Sequence, residues 1–439
     1  MTLDLEKIKQ NKTGFLLGFS IPAVIAMVLS SLVSVVDGFF IGNYVGSEGL
    51  AAVNLGLPIV YLFCAVGLMI GVGGSVLGGI YNGEGNITKA RTVFTQTMIL
   101  VLIAGVALST FVFAFFEPML NFLRAEGLVR QCFYDYYKII SFEYPMMILI
   151  ITFGMFIRAD GKPQYTMGVT FFTVALNIIL DYAFSKMGFG IKGIAIASVI
   201  TGAVGILMSV LYITKKAVIY RFARFKFDRS EIAKTFTNGS SEFIGEMASV
   251  ISMFCYNLVI MRTVGSKGVS AFTVAGYMIY VFSMIVIGFG QGMCPLVSFS
   301  YGAKALDVSK DLRKLTNRFV FGLGVFFALL LFFGGNFYAS LFSNDKEIVG
   351  MVTTGLKFLC ASFILMGFNV VASMYFTSCG KALPSAVISM ARGLVILLAL
   401  IFTLPRFFGL NGVWATAPLT EIFTLAITIG FFVKTEMCK

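Results

Sequence analysis

VGSEGLAAVNLGLPIVYLF (residues 45–63) and VGSKGVSAFTVAGYMIYVF (264–282) align without a gap when the chain is shifted by 219 residues. Val45, Gly46, Ser47, Gly49, Ala52, Tyr61 and Phe63 all recur at that shift. The same offset carries Gly71, Gly73 and Gly83 onto Gly290, Gly292 and Gly302. It also carries Gly161-Lys162 onto Gly380-Lys381, and FGIKG (189–193) onto FGLNG (408–412). Chance supplies a few matching glycines, but not a single offset held across a whole half. The sequence reads as a duplication.

Both copies are apolar. The 439 residues are 58% hydrophobic and 12% charged, with mean hydropathy +0.92, whereas soluble chains are about 45–50% apolar and about 25% charged. A helix crossing a bilayer needs about 20 apolar residues. Such runs fall near 14–41, 49–79, 92–116, 132–157, 164–184 and 190–214, then near 237–261, 268–300, 316–342, 351–376, 383–404 and 410–433. The expected fold is an all-α polytopic membrane protein with 12 transmembrane helices. Residues 1–214 form one six-helix lobe, 215–234 (KKAVIYRFARFKFDRSEIAK) a basic cytoplasmic linker, and 235–439 a second six-helix lobe. An even number of spans per half makes the repeat parallel, about an axis along the membrane normal, with a cavity between lobes.

Charge sets the direction. With the N-terminus inside, 22 of the 33 Lys and Arg fall on the inner side and 8 in outer loops; Lys138, Lys357 and Arg392 lie within spans. The positive-inside rule therefore puts both termini in the cytoplasm of a cell membrane. The net charge of +12 is a topology signal spread over short loops, so no nucleic-acid partner is expected. The first apolar run is too long for a signal peptide and lacks a small-residue cleavage site. No histidine occurs, which excludes histidine metal sites and histidine bases. The seven cysteines (64, 132, 255, 294, 360, 379, 438) include no CxxC and read as small reduced hydrophobes. No cofactor is expected, and the chain is expected to work as a monomer in the lipid bilayer.

A carboxylate at a helix centre costs about 2.5–3.5 kcal/mol, so each in-span acid needs a cavity or a partner. They are Asp37, Glu143 and Asp181 in the first half, and Glu242, Glu246 and Glu421 in the second. Odd-numbered spans run outward, which sets Asp37 (SVVDGFF) and Asp181 (LNIILDY) at similar outer-leaflet depth. Asn177, four residues before Asp181, shares its helix face. Two neighbouring carboxylates resist ionising together and so suit holding one proton. With the Asn carbonyl, the same oxygens would ligate Na⁺. The second half puts Ile396 and Leu400 at the equivalent positions. Glu242 and Glu246 share a face at i, i+4. Glu143 and Glu421 are further acids for a cation-attracting cavity, or partners for Arg392. Pro22, inside span 1, removes a helix hydrogen bond and predicts a kink.

SIPAVIAMVLSSLVSVVDGFFIG (20–42), VGSEGLAAVNL (45–55) with its counterpart VGSKGVSAF (264–272), RADGKP (158–163) and LNIILDY (176–182) resemble the multidrug and toxic compound extrusion (MATE) family. The resemblance covers nearly the full chain. It implies a V-shaped pair of lobes exporting cationic or amphiphilic compounds in exchange for entering H⁺ or Na⁺. It implies a first-lobe cation site on spans 1, 5 and 6, which matched residue by residue gives Asp37, Asn177 and Asp181. A span 6 hydroxyl completes that set, with Ser198 the better fit and Thr201 the near alternative. It further implies that protonating the span 1 acid couples to bending at Pro22, and that an acid on span 7, Glu242 or Glu246, serves the second lobe.

The expected activity is a cation-coupled antiporter working by alternating access, not an enzyme. The nearest rival is a lipid or oligosaccharide flippase, which should offer a basic cavity for phosphates. Six in-span acids against three basic residues argue for cationic cargo. An intramembrane enzyme would need clustered metal-binding acids, and no DDxxD run occurs. A channel would need a filter-like loop or charge ring.

Overall fold

The computed structural model describes residues 3–122, 125–224 and 227–437; Cys438 lies outside them. Every regular element is helical. The first half contains α1 (Leu5–Gln10), α2 (Lys12–Tyr44), α3 (Ser47–Leu55), α4 (Leu57–Gly83), α5 (Ile87–Ala114), α6 (Phe116–Phe122), α7 (Gly127–Ile140), α8 (Glu143–Ala159), α9 (Pro163–Lys186) and α10 (Gly190–Lys215). The second contains α11 (Arg229–Thr263), α12 (Ser266–Gly302), α13 (Leu306–Ser340), α14 (Lys346–Ser378) and α15 (Ala382–Met390). A π-turn at Ala391–Val395 then leads into α16 (Ile396–Met437). Among the described residues, ten helical stretches are long and apolar enough to cross a membrane, and α7 with α8 adds another, bent by 46°. The protein is a polytopic helical membrane protein.

Three boundaries differ from the hydropathy reading, each for a local reason. The run 132–157 is broken at Ser141–Phe142 rather than continuous. Pro145 has no N–H to give the Ser141 carbonyl, which accepts instead from the Ser109 hydroxyl at 3.0 Å. The run 49–79 is split by Gly56 and Pro58 into α3 and α4, whereas α12 continues through the equivalent Ala275 and Tyr277. A side chain at Gly56 would overlap the Tyr137 ring, whose hydroxyl donates to the Val53 carbonyl at 2.8 Å. The linker is shorter than 215–234, because Asp228 caps α11 through its side chain and the helix begins at Arg229. In the last stretch, Gly409 leaves helical geometry (φ 54°, ψ −133°) inside an otherwise helical run.

Backbone geometry follows the 219-residue offset. Gly46 and Gly265 have φ of 99° and 86°, Gly161 and Gly380 of 87° and 68°, and Gly190 and Gly409 of 55° and 54°. Gly85 (79°) is matched by Lys304 (58°), the one non-glycine with positive φ among the described residues. Both close their helices alike: Asn86 N–H reaches Tyr81 O at 2.9 Å, and Ala305 N–H reaches Ser300 O at 2.9 Å. A left-handed lysine costs roughly 1–2 kcal/mol relative to glycine. Lys304→Gly is therefore expected to raise stability by about 1 kcal/mol, measurable by thermal unfolding in detergent; unchanged stability would show that the turn carries no strain.

The two halves approach each other through glycines. A Cβ at Gly73 or Gly239 would strike the Thr235 or Met69 carbonyl. One at Gly83 or Gly302 would strike the Phe299 or Ile80 carbonyl, and one at Gly292 or Gly288 the Ser20 or Val24 backbone. These close approaches gather at the end of the bundle that carries the N-terminus. Lys12 pairs with Asp311 there, and the Arg313 guanidinium stacks over the Tyr375 and Phe432 rings at 5.2 and 3.9 Å. Both ends of the described chain thus lie on one face.

Candidate functional site: a buried carboxylate pair

α9 carries Asn177 and Asp181 one turn apart, and both side chains are buried (2% and 0% exposed). They point toward α2, where the Asp37 carboxyl lies within hydrogen-bonding reach of the Asp181 carboxyl. Asp37 Oδ1, both Asp181 oxygens, and Asn177 Oδ1 and Nδ2 have no hydrogen-bond partner among the described residues. Buried polar atoms are nearly always paired, because an unpaired one costs about 1–3 kcal/mol. Two carboxyls facing each other without donors can be reconciled by one shared proton or by a cation that both ligate. The donor set fits either: hard oxygens suit Na⁺, and the Asn177 carbonyl adds a neutral ligand. No cluster of three or more Asp, Glu or Cys placed to hold a metal occurs among the described residues.

Glu143 is nonetheless close. It opens α8 just past the break, lies within electrostatic range of Asp37, and presents its Cγ to Gly202 of α10. Tyr136 on α7 faces Asp37, Glu143 and Asp181 from the other side of that break. Sequence reasoning missed Tyr136, because only the bend between α7 and α8 turns it inward. The Ser198 hydroxyl donates to Ile194 O at 3.3 Å, and Thr201 to Ala197 O and Ser198 O at 3.0 and 2.9 Å. Neither bonds the pair; both keep oxygen lone pairs free.

Pro22 lies in the same helix as Asp37, and α2 runs through it without interruption. Lacking an N–H, it leaves the Gly18 carbonyl unserved by the helix. The Gln164 side chain donates to that carbonyl at 3.5 Å, tying the opening of α9 to the proline turn of α2.

The second-half acids divide into two kinds. Glu246 lies within electrostatic range of Tyr280 of α12 and of Tyr61 and Cys64 of α4. Tyr61 and Tyr280 occupy equivalent positions of the repeat, so one carboxylate is near two related tyrosines from opposite halves. Glu242, one turn earlier, lines a cavity of about 30 Å³ with Arg158, Gln291, Cys294 and Ser298. That is room for about one water. Arg158 donates to Gln291 Oε1 at 3.0 Å, again across the halves. Glu421, in contrast, is fully partnered. Arg392 Nε reaches its Oε1 at 2.7 Å and Asn369 Nδ2 its Oε2 at 2.8 Å. Thr428 closes the set on Asn369 Oδ1 at 3.0 Å.

The family model MatE matches two segments of the sequence, residues 22–183 and 243–403. The chain belongs to the MATE family. The MATE relatives it is similar to include the multidrug export protein MepA of Staphylococcus haemolyticus, 25% identical over 401 residues, covering 90% of this chain and 87% of the relative. The MepA of Staphylococcus saprophyticus is 24% identical over 416 residues, covering 93% and 91%. Among solved structures, a crystal structure of MATE in the bent conformation superimposes with a TM-score of 0.91 at 21% identity, covering 100% of this chain and 98% of that one. The protein is accordingly a MATE transporter. The first matched segment contains Asp37, Asn177 and Asp181; the second contains Glu246 and Arg392 and stops short of Glu421.

Proposed function

We propose that this protein is a cation-coupled antiporter, driven by H⁺ or Na⁺, that exports organic cations or amphiphilic drugs by alternating access between two lobes. The observation that carries the coupling is the Asp37–Asp181 pair with Asn177: Asp181 and Asn177 are buried, Asp37 is half-buried with its Oδ1 enclosed, and none of these enclosed oxygens has a protein donor among the described residues. A group that exchanges a cation must shed its permanent partners, and this pair has none. Export of drugs is supported by the relatives named as multidrug export proteins. Glu246, with Tyr61 and Tyr280 in its vicinity, supplies chemistry that attracts an organic cation, a carboxylate near aromatic rings.

The lobes are residues 1–214 and 235–439, each with six crossings. Two segments matched by one family model and the paired positive-φ positions support the repeat. Both chain ends on one face require an even number of crossings, which favours twelve, with Gly409 dividing the last helical run. Positive-inside charge puts that face in the cytoplasm of the cell membrane. The lobes meet at this inner end, so in this reading the cleft between them opens outward.

The deciding experiment is transport of tetraphenylphosphonium in proteoliposomes with pH and Na⁺ gradients varied independently. Export driven by one of them is expected; export driven by neither would end the antiport reading. Pro22 gives a second expectation. If bending of α2 at the proline turn links the Asp37 site to the cleft, Pro22→Ala restores a helix hydrogen bond and stiffens that turn. Gradient-driven flux should then fall by about tenfold, equal to about 1.4 kcal/mol, with cation binding retained. Normal flux with unchanged cation dependence would show that the proline only shapes packing.

A further inference from the structure

We propose that two ion pairs on helices related by the repeat, with their charges reversed, hold the inner ends of the lobes together as a latch that must open in each transport cycle. Lys12, at the start of α2, pairs with Asp311, at the start of α13, at 2.5 Å. Shifting by 219 residues turns Lys12 into Glu231, at the start of α11. α13 corresponds to α5, where Asp311 maps onto Thr92, and Lys89, one turn earlier, lies 3.6 Å from Glu231. The α2–α13 contact thus has its lysine on the first helix, the α11–α5 contact its acid, and in both the lysine belongs to the first lobe.

The two pairs are unequal. Asp311 is half exposed, and exposed pairs contribute little. Glu231 is 4% exposed and takes three donors: the Tyr81 hydroxyl at 2.8 Å, Lys234 at 2.9 Å and Lys89. Lys89 also sits 4.5 Å above the Tyr81 ring. Tyr81 and Lys89 belong to the first lobe and Glu231 to the first turn of α11, which runs on into the second lobe, so separating the lobes strips this carboxylate of its neutral donor and one of its two cations. Beneath the latch lies the glycine seam, whose carbonyl-to-Cα approaches tolerate no wedge. The latch therefore closes a tight surface and releases it as a unit.

The inference rests on the alternating-access reading, and native cysteines separate the two. Cys294 lines the cavity under the seam, and Cys64 lies in the half of α4 away from the seam, within electrostatic range of Glu246. With the other five cysteines changed to alanine, a membrane-impermeant maleimide reports the state of each side. In the parent protein, tetraphenylphosphonium under an imposed gradient should shift Cys294 and Cys64 labelling in opposite directions. If it does not, alternating access fails whatever the latch does. For the latch itself, Glu231→Gln should raise Cys294 labelling from the inner side by about tenfold, and Lys12→Glu by roughly threefold, since buried pairs outweigh exposed ones. Lys12→Glu combined with Asp311→Lys should return labelling to the parent rate, a rescue that a packing role would not give. If Glu231→Gln fails to accumulate in membranes, Lys89→Gln removes the same cross-lobe charge from its exposed side. Unchanged Cys294 labelling in these variants, or no rescue by the exchanged pair, would overturn the latch.

Discussion

Asp181→Asn is expected to reduce gradient-driven export on the order of 100-fold, about 2.7 kcal/mol in the coupled step, while making the protein more resistant to heat. The two effects have one cause. Asp181 is fully buried, none of its oxygens has a donor among the described residues, and another carboxyl faces it. An amide of the same size keeps the shape and brings an N–H₂ that can donate to Asp37. Satisfying a buried acceptor contributes about 1–3 kcal/mol, so the melting temperature in detergent should rise. A residue kept for the fold would behave in the opposite way. Asp37→Asn should likewise abolish coupling. Wild-type coupling in both variants would remove the pair from the mechanism; lowered stability together with lost transport would recast Asp181 as a folding residue.

Arg392→Met is expected to cost about 3 kcal/mol of stability, because it leaves Glu421 buried and charged with only an amide donor. The loss should appear as a lower unfolding temperature before any change in ion dependence. Adding Glu421→Gln should restore most of it, since a neutral side chain needs no counter-charge. This outcome would separate Glu421 from the in-span acids left without a cation. If the single substitution were neutral, the pair would be open to exchange and Glu421 would return as a cargo-facing group.

The placement of Arg392 explains why the sequence offered Glu143 and Glu421 as its partners without choosing between them. It sits in the π-turn at Ala391–Val395, where one extra residue rotates the helix and breaks its hydrogen-bond ladder. Ser252 donates to the Gly393 carbonyl there at 2.8 Å, and α11 comes close enough that a Cβ at Gly393 would strike Ala248. Nothing local in ARGLV marks such a turn. Hydropathy alone located the helices, because an apolar run of bilayer length leaves a backbone no other way to satisfy itself. It could not see the breaks at Ser141 and Gly56, which depend on Pro145, Pro58 and the distant Tyr137. The Asn177–Asp181 face was legible from helix period, and its approach to Asp37 from span direction. The neighbours Tyr136 and Gln164, and the Lys89–Glu231 pair, join residues far apart in sequence, and no short pattern encodes them.

The segment between α10 and α11 has a mechanical consequence. Asp160 grips its beginning, accepting from Tyr212 at 2.7 Å, Val218 N–H at 3.0 Å and Ile219 N–H at 2.7 Å. Arg91 holds the Ile219 carbonyl at 3.0 Å, Thr95 the Ala223 N–H at 3.1 Å, and Gln96 the Asp228 carbonyl at 3.1 Å. Asp228 is also the cap of α11. The chain joining the lobes is thus fastened to α5 at Ile219, Ala223 and Asp228. Four residues lie between Ala223 and Asp228, and those five Cα-to-Cα steps, fully extended, span at most about 18 Å. Even with the Gln96 stitch undone, the inner ends near α5 and α11 stay on a short leash. If the lobes alternate as proposed, they tilt about this edge without drifting apart, and the leash then sets both the axis of that motion and the width of its inner opening.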